Sequence, residues 1–180
     1  MNEFNHNNYP KAFIRLRPSK TIHGEIGSFA LKDFKKGDII VNSADFEDNN
    51  IISIEEYKKL DSETQELLFA HSTMTPTKLF VPKNLNFLKP INYFNHSCDA
   101  NTGFDLNDNY IAMKDIKRDD EFLLDYSLLN TNPEFSFECK CGAANCRKIV
   151  TGNEWKNENY CEKYGNYFAS TLREMKSLSV

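Results

Sequence analysis

The sequence contains no hydrophobic run that approaches the roughly 18 residues needed to cross a bilayer. Its 22 Lys and Arg residues are scattered, and 26 Asp and Glu residues outnumber them. Nucleic-acid binding depends on clustered cations that neutralise phosphates, so this pattern argues against a direct nucleic-acid partner. The Asn-rich residues 1–10 lack the basic and apolar regions of a signal peptide. We therefore expect a cytoplasmic protein without membrane association, and export to a host cell stays open.

Internal repeats are absent as well, and no low-complexity stretch follows the Asn-rich start. A chain of 180 residues, 40% of them hydrophobic, can bury one ordinary core but not two. We expect one domain with a short C-terminal appendage, and the sequence does not predict its oligomeric state. The acidic residues gather locally, which fits either a solvated acidic surface or attraction of a basic peptide. They are Asp45, Glu47 and Asp48, then Asp115, Asp119, Asp120, Glu121 and Asp125.

Short apolar runs punctuated by glycines predict small strands over residues 12–41 and again over 78–126. Between them, Ser53 with Glu56 and Ser62 with Gln65 form two capping-box patterns, which predict two short helices. Residues 153–175 are rich in aromatics, and Gly165 divides them into two further helices that pack on the domain. The sequence thus predicts a mainly β fold with short helices.

Three of the five cysteines, Cys139, Cys141 and Cys146, lie within eight residues. Thiolates this close suit a tetrahedral metal with bonds of about 2.3 Å, and zinc is the metal we expect because nothing indicates the redox chemistry of an iron–sulfur cluster. A closed structural site needs a fourth ligand, for which Cys98, Cys161 and the histidines are candidates. We favour Cys98 over Cys161, since an isolated cysteine in an aromatic segment more often packs as a small hydrophobe.

Several motifs resemble those of SET-domain protein-lysine methyltransferases, in the order found in that family. The segment 95–101, Asn-His-Ser-Cys-Asp-Ala-Asn, resembles the first SET signature, and 120–126, ending in Asp125-Tyr126, resembles the second. Residues 139–146 resemble the post-SET zinc motif, whose fourth ligand in the family is the signature cysteine, here Cys98. The opening segment from Gly27 is similar to the cofactor-binding hairpin. The resemblance covers about residues 11–152, and the chain is similar to compact bacterial SET-only proteins.

The resemblance implies a SET fold, a β-clip of small sheets with a pseudo-knotted segment. It implies a SET domain over residues 11–130, a post-SET zinc segment over 131–152 and a C-terminal helical tail over 153–180. The implied activity is methylation of a lysine presented by a protein or peptide, with S-adenosylmethionine as cofactor and one structural zinc. The substrate protein and the number of methyl groups added are not predicted.

The resemblance also assigns roles to individual residues. Tyr126 is the catalytic residue, and its phenol, with a pKa near 10, serves alignment and electrostatic help because it is a poor base at pH 7. The lysine channel is implied to be lined by Tyr93, Leu124 and Tyr126. Cofactor-binding positions are Glu25, Ile26, Gly27, Phe29, Phe94, Asn95 and His96. The metal ligands are Cys98, Cys139, Cys141 and Cys146.

The chain departs from the family pattern at several positions. Glu25 stands where the opening motif has its first glycine, with Gly24 displaced by one residue. Leu124 replaces an aromatic residue of the lysine channel, Ala100 replaces a proline, and Lys148 replaces a glycine after the zinc motif. The departure at Glu25 affects the expected cofactor contacts, and the departure at Leu124 affects the expected number of methyl groups added.

Two other functions are compatible with parts of the sequence. Cys98 and His96 lie two residues apart on a strand and share a face, as a thiol nucleophile and its base would. The departures at Glu25 and Leu124 also fit a degenerate SET domain that binds a protein partner without turnover. Binding of S-adenosylmethionine distinguishes this second alternative from an enzyme.

Overall fold

The computed structural model describes residues 11–46 and 49–177, without the side chain of Phe46. The Asn-rich start, the acidic pair Glu47 and Asp48, and the last three residues of the tail lie outside the described part. The strands are β1 Ile14–Pro18, β2 Ile26–Ala30, β3 Ile39–Val41, β4 Asn49–Ser53, β5 Thr73–Met74, β6 Lys78–Pro82, β7 Asn95–His96, β8 Thr102–Phe104, β9 Tyr110–Ala112, β10 Leu123–Leu124, β11 Ser136–Glu138 and β12 Ile149–Thr151. The α-helices are α1 Ile54–Tyr57, α2 Ser62–His71, α3 Glu158–Tyr164 and α4 Ser170–Ser177.

The strands form small sheets, as the sequence predicts for a mainly β fold. The largest has the order β3-β9-β8-β10-β7, and the others are β1-β2, β11-β12 and β4-β6-β5. Strand β10 pairs in parallel with both β7 and β8, whereas the remaining pairs are antiparallel. Its register places Leu123 opposite Asn95 and Leu124 opposite His96. The two signature segments are therefore neighbours in one sheet.

Both helices expected between residues 53 and 72 form, but only the first has the predicted cap. Ser53 and Glu56 make a complete capping box at α1. The second capping box is wrong: Asp61 is the N-cap of α2, and its carboxylate accepts from the Thr64 backbone N–H at 2.8 Å. A carboxylate at this position also interacts favourably with the helix dipole. Gln65 instead donates to the Leu60 carbonyl at 2.7 Å.

The C-terminal tail has the two predicted helices, and the break lies at Gly165, where a short 3-10 turn begins. Tyr160, Tyr164, Phe168 and Leu172 are buried in the larger of two hydrophobic clusters. The smaller cluster surrounds the cysteines and includes Phe135, Val150 and the β6 side chains Leu79 and Val81. None of the described helices has the length and apolar character to span a bilayer.

Candidate active site and metal centre

Tyr126 lies directly after the parallel β7–β10 pairing and contacts the first signature segment with both its backbone and its side chain. Its hydroxyl donates to the Phe94 carbonyl at 3.1 Å, and its backbone N–H donates to His96 Nδ1 at 3.2 Å. The His96 and Tyr126 rings meet edge to face at 5.3 Å. Burial lowers the pKa of His96 to about 4, so the imidazole is neutral at pH 7. Since Nδ1 accepts a hydrogen bond, Nε2 carries the proton and points at Cys98 Sγ, 3.4 Å away.

The Tyr126 hydroxyl is protonated at physiological pH. Burial raises its pKa far above the usual 10, and the nearby Glu25 carboxylate adds to the shift because a second negative charge is disfavoured there. The group can therefore donate a hydrogen bond and orient a partner, but it cannot act as a base near pH 7. The role that the resemblance implies, alignment without proton abstraction, fits these electrostatics.

A second group of predicted residues surrounds the Glu121 carboxylate. Asn95 Nδ2 donates to the Ile26 carbonyl and to Glu121 Oε1, both at 3.0 Å. Glu121 also accepts from Ser19 Oγ at 2.7 Å and from the Lys20 backbone N–H at 2.9 Å. This network joins the start of β2 to the β7–β10 pair. Sequence reasoning identified Glu121 only as part of an acidic strand.

Gly27 lies where no side chain fits, because a Cβ there would collide with the Glu121 carboxylate and press on Asn95 Nδ2. Just before this segment, Gly24 has a φ of +90°, a left-handed conformation that favours glycine. The displaced glycine of the opening motif thus forms the turn that leads into β2. Lys148, at the other departure from the family pattern, adopts a φ of 66°. This φ lies in the left-handed region that favours glycine, which explains why glycine is usual at this position in the family.

A cavity of about 690 Å³ opens beside Tyr126. Of the predicted site residues, Phe94, Leu124 and Tyr126 line it, whereas Glu25, Ile26, Gly27, Phe29, Tyr93, Asn95 and His96 do not. The Tyr93 ring packs edge-on, at 6.0 Å, against His71, which does line the cavity. Phe29 is 1% exposed and lies under the cationic groups of Arg17 and Lys20.

The four predicted metal ligands come together in three dimensions. The Sγ atoms of Cys98, Cys139, Cys141 and Cys146 all lie within 4.8 Å of one another. Cys98 and Cys139 Sγ are 3.9 Å apart, close to the roughly 3.8 Å expected across a tetrahedron with bonds of about 2.3 Å. All are free thiols, three of them buried. Cys161 lies outside the group and donates to the Trp155 carbonyl at 2.9 Å.

Backbone N–H groups point at two of the sulfurs, and at Cys141 they favour the thiolate form that a metal requires. The Arg147 N–H lies 3.4 Å from Cys98 Sγ, and the Cys98 N–H lies 3.5 Å from Cys141 Sγ. Burial alone would raise the pKa of Cys141, but backbone hydrogen bonds from Cys98 and Ala143 lower it to about 7. The donor set, four sulfurs at tetrahedral spacing with N–H donors, fits a structural metal ion.

An ion pair that sequence reasoning missed links the cysteine group to the Tyr126 segment. Arg147 binds the fully buried Asp125 carboxylate in bidentate geometry, and its guanidinium lies 5.2 Å from the Tyr160 ring centroid. Tyr164 in α3 donates to the Cys98 carbonyl at 3.0 Å. The sequence signal was present, since Arg147 follows Cys146 and Asp125 precedes Tyr126. Nothing in the sequence, however, indicates that Arg147 and Asp125 pair with each other.

The comparison with protein families agrees with this geometry. The family model described as SET domain matches residues 25–127, which is more than half of the 180-residue chain. The search of curated proteins found no match. The match spans the opening segment, both signature segments and Tyr126. With its small sheets and its neighbouring signature strands, the chain belongs to the SET-domain family.

Proposed function

We propose that this protein transfers methyl groups from S-adenosylmethionine to lysine side chains of a protein substrate, with Tyr126 as the catalytic residue. The observation that carries the proposal is the position of the Tyr126 hydroxyl. Tyr126 lines the cavity of about 690 Å³, and its hydroxyl donates to the Phe94 carbonyl beside the Asn95–His96 pair. Membership of the SET-domain family supports the same activity.

The residues around Asn95 fit the methionine end of the cofactor. Asn95 Oδ1 accepts no hydrogen bond from the residues that the structure describes, although Nδ2 makes two. This half-buried oxygen can accept from an ammonium group, and Glu25 is exposed close by to add negative charge. Gly27 at the same edge is buried against the Glu121 carboxylate and Asn95 Nδ2, so this part of the site has no room for a side chain. We therefore assign Glu25, Ile26, Gly27, Asn95 and His96 to cofactor binding.

Bound S-adenosylmethionine supplies an electrophilic methyl group, and this chain's residues supply the environment in which a lysine amine can attack it. Keeping a lysine of pKa near 10.4 neutral at pH 7 costs roughly 4.6 kcal/mol in water. The buried walls formed by Phe94 and Leu124 reduce that cost, because desolvation disfavours the ammonium form. The Tyr126 hydroxyl gives its proton to the Phe94 carbonyl, so its oxygen would accept an N–H of the neutral amine and leave the nitrogen lone pair free to face the methyl group, a gain from alignment.

The metal in this proposal is zinc, held by Cys98, Cys139, Cys141 and Cys146. Its role is structural, because four protein sulfurs leave no open coordination position for a substrate. Holding Cys98 fixes the strand end that carries His96, and holding Cys146 fixes the adjacent Arg147.

The geometry argues against the thiol-hydrolase alternative. Cys98 is 1% exposed and lies within 4.8 Å of three other sulfurs, so no substrate carbonyl can reach it. Burial also raises the pKa of the Cys98 thiol, which is opposite to what nucleophilic activation requires.

Calorimetric titration with S-adenosylmethionine tests the proposed cofactor site. The wild-type protein should bind it, and Gly27→Ala should lose binding because the new methyl group displaces Glu121 and Asn95. Gly165→Ala is the matched control, since a Cβ there meets nothing within 4 Å. A folded wild-type protein that binds no S-adenosylmethionine would contradict the proposal and favour a partner-binding module without turnover.

A further inference from the structure

Glu121 is a buried residue, 5% exposed, and donors occupy both oxygens of its carboxylate. Oε1 accepts from Ser19 Oγ at 2.7 Å and from Asn95 Nδ2 at 3.0 Å. Oε2 accepts from the backbone N–H groups of Lys20 at 2.9 Å and Thr21 at 3.2 Å. A carboxylate has about four lone-pair sites, so these donors use its full capacity. The side chain therefore serves only as an acceptor at this place in the fold.

The donors around Oε2 and the Ser19 hydroxyl have fixed roles. Lys20 and Thr21 contribute backbone N–H groups, which can only donate. Ser19 Oγ accepts from the N–H groups of Thr21 at 3.1 Å and Ile22 at 2.9 Å, and its own proton is therefore directed at Glu121. Of the partners of Glu121, the Asn95 side-chain amide is the one that can present either a donor or an acceptor when it rotates.

The contacts of Asn95 determine which end of its amide faces outwards. Nδ2 donates one proton to the Ile26 carbonyl and the other to Glu121 Oε1, both at 3.0 Å. Because both partners are acceptors, the nitrogen end of the amide must face them. The oxygen end, Oδ1, then faces away from Glu121 and is left to accept from the ammonium group of the cofactor.

The backbone that carries the Glu121 carboxylate is itself held in place. The Glu121 carbonyl accepts from Asn101 Nδ2 at 2.8 Å, and the next residue, Phe122, donates its N–H to the Ser28 carbonyl of β2 at 2.8 Å. These bonds tie position 121 to β2 and to the first signature segment. The carboxylate is thus a fixed point against which the Asn95 amide is oriented.

We propose that Glu121 is a positioning residue, which holds the Asn95 amide so that Oδ1 faces the ammonium group of S-adenosylmethionine. Glu121 acts through Asn95, since its own oxygens are already occupied by protein donors. The contribution of the ammonium group to cofactor affinity then depends on the Glu121 carboxylate. This inference rests on the proposed function, because it assigns Asn95 Oδ1 to the cofactor.

Calorimetric titration with two ligands tests the inference on the intact protein. One ligand is S-adenosylhomocysteine, the cofactor without its methyl group, and the other is its analogue in which hydrogen replaces the amino group. The wild-type protein should bind the amino compound at least about tenfold more tightly, the size of one hydrogen bond to a charged group. This affinity ratio is the quantity that the variants should change.

Glu121→Gln keeps the shape of the side chain but replaces one acceptor oxygen by an NH2 group. At the Oε2 position that group would face two backbone N–H groups that cannot turn, so it takes the Oε1 position and the Asn95 amide turns away. The affinity ratio should therefore fall towards one. Glu162→Gln, at an exposed carboxylate of α3, is the matched control and should keep the wild-type ratio. An unchanged ratio in Glu121→Gln would overturn the inference.

A double-mutant cycle shows whether Glu121 acts through Asn95. Asn95→Ala alone should bring the affinity ratio towards one, because it removes the acceptor of the ammonium group. Adding Glu121→Gln to Asn95→Ala should change the ratio no further. A second drop of similar size would show that Glu121 acts by another route and would overturn the inference.

Solvent exchange of the Asn95 side-chain amide protons, measured by NMR without cofactor, gives an independent test. Both protons are hydrogen-bonded, so exchange should be slow in the wild-type protein and at least about tenfold faster in Glu121→Gln, which loses one charge-assisted bond. The resonances are identified by their absence in Asn95→Ala. Fast exchange in the wild-type protein would overturn the inference even if Glu121→Gln failed to fold.

The two ligands also separate this inference from the proposed function. Binding of both with a ratio that Glu121→Gln leaves unchanged would contradict the inference and leave the proposed function standing. A folded wild-type protein that binds neither ligand would contradict the proposed function and the inference with it.

Discussion

Arg147 holds Asp125 through two parallel hydrogen bonds, Nη1 to Oδ2 at 2.6 Å and Nη2 to Oδ1 at 2.7 Å. Arg147 directly follows the proposed metal ligand Cys146, and Asp125 directly precedes Tyr126. The pair therefore ties the cysteine segment to the segment that carries the Tyr126 hydroxyl. Bidentate arginine–carboxylate contacts have a fixed planar geometry. The pair therefore fixes the relative orientation of the two segments in addition to attracting them.

Loss of this pair should strongly destabilise the fold. Arg147→Ala leaves the fully buried Asp125 carboxylate without its charged partner, and we expect the free energy of unfolding to fall by about 3–5 kcal/mol. Arg118→Ala is the control, since its side chain is 63% exposed and its ion pair with Asp119 measures 3.9 Å. Urea denaturation of both variants checks this prediction. Similar small losses for the two would show that the pair contributes little.

Removal of the metal should unfold the cysteine segment and lower the thermal stability. Purified protein should contain about one zinc per chain, and a chelator should lower Tm because the binding energy of a structural zinc is also folding energy. Cys98→Ser should lose the zinc, whereas Cys161→Ser should keep it, since Cys161 lies outside the four-cysteine group and its Sγ donates to the Trp155 carbonyl. Atomic absorption and a thermal melt measure the two effects. A zinc content near zero in wild-type protein would contradict the assignment.

The parts of the site that the sequence predicts well are those fixed by short spacing or by motif. Three cysteines within eight residues necessarily lie close together in space. The fold brings the distant Cys98 to the same place. The capping box at Ser53 is likewise a local pattern and forms as expected. At α2 the neighbouring Asp61 competes with Ser62 for the same role, and a list of favoured residue types does not rank the two.

Long-range polar contacts could not be read from the sequence. Glu121 accepts hydrogen bonds from Ser19 and Asn95, which are 102 and 26 residues away. Arg147 and Asp125 are separated by 22 residues and meet only after β10 and the cysteine segment have packed. Such pairs depend on strand register and loop path, which apolar periodicity does not encode.

The degree of methylation should depend on Leu124. Leu124 lines the cavity and is smaller than the aromatic residue usual in the family, so wild-type product should include more than one methyl group per lysine. Leu124→Phe should shift the product towards monomethyl-lysine by filling that space. Leu67→Phe, at a position 45% exposed and outside the cavity lining, should not change the product. Mass spectrometry of the products decides, and monomethyl-lysine alone from the wild type would contradict this account.

The pH dependence of methyl transfer should report the substrate amine and not Tyr126. The rate should rise with pH towards the lysine pKa of about 10.4, because the neutral amine is the nucleophile. Burial raises the pKa of Tyr126 above its usual value, so the hydroxyl stays protonated while the amine loses its proton. We therefore expect no falling limb near pH 10 in initial rates, with circular dichroism confirming that the protein stays folded. A decline there in folded protein would show that Tyr126 ionises more readily.

The central claim is tested most directly by transfer of labelled methyl from S-adenosylmethionine into the proteins of a cell extract. Wild-type protein should label discrete bands on lysine, and Tyr126→Phe should reduce the label by about a hundredfold or more, a typical effect of removing one oriented donor. Tyr57→Phe is the matched control, because it removes a hydroxyl that bonds the Gln65 carbonyl away from the cavity lining. Label that persists in Tyr126→Phe, or none from a wild-type protein that binds the cofactor, would contradict the account.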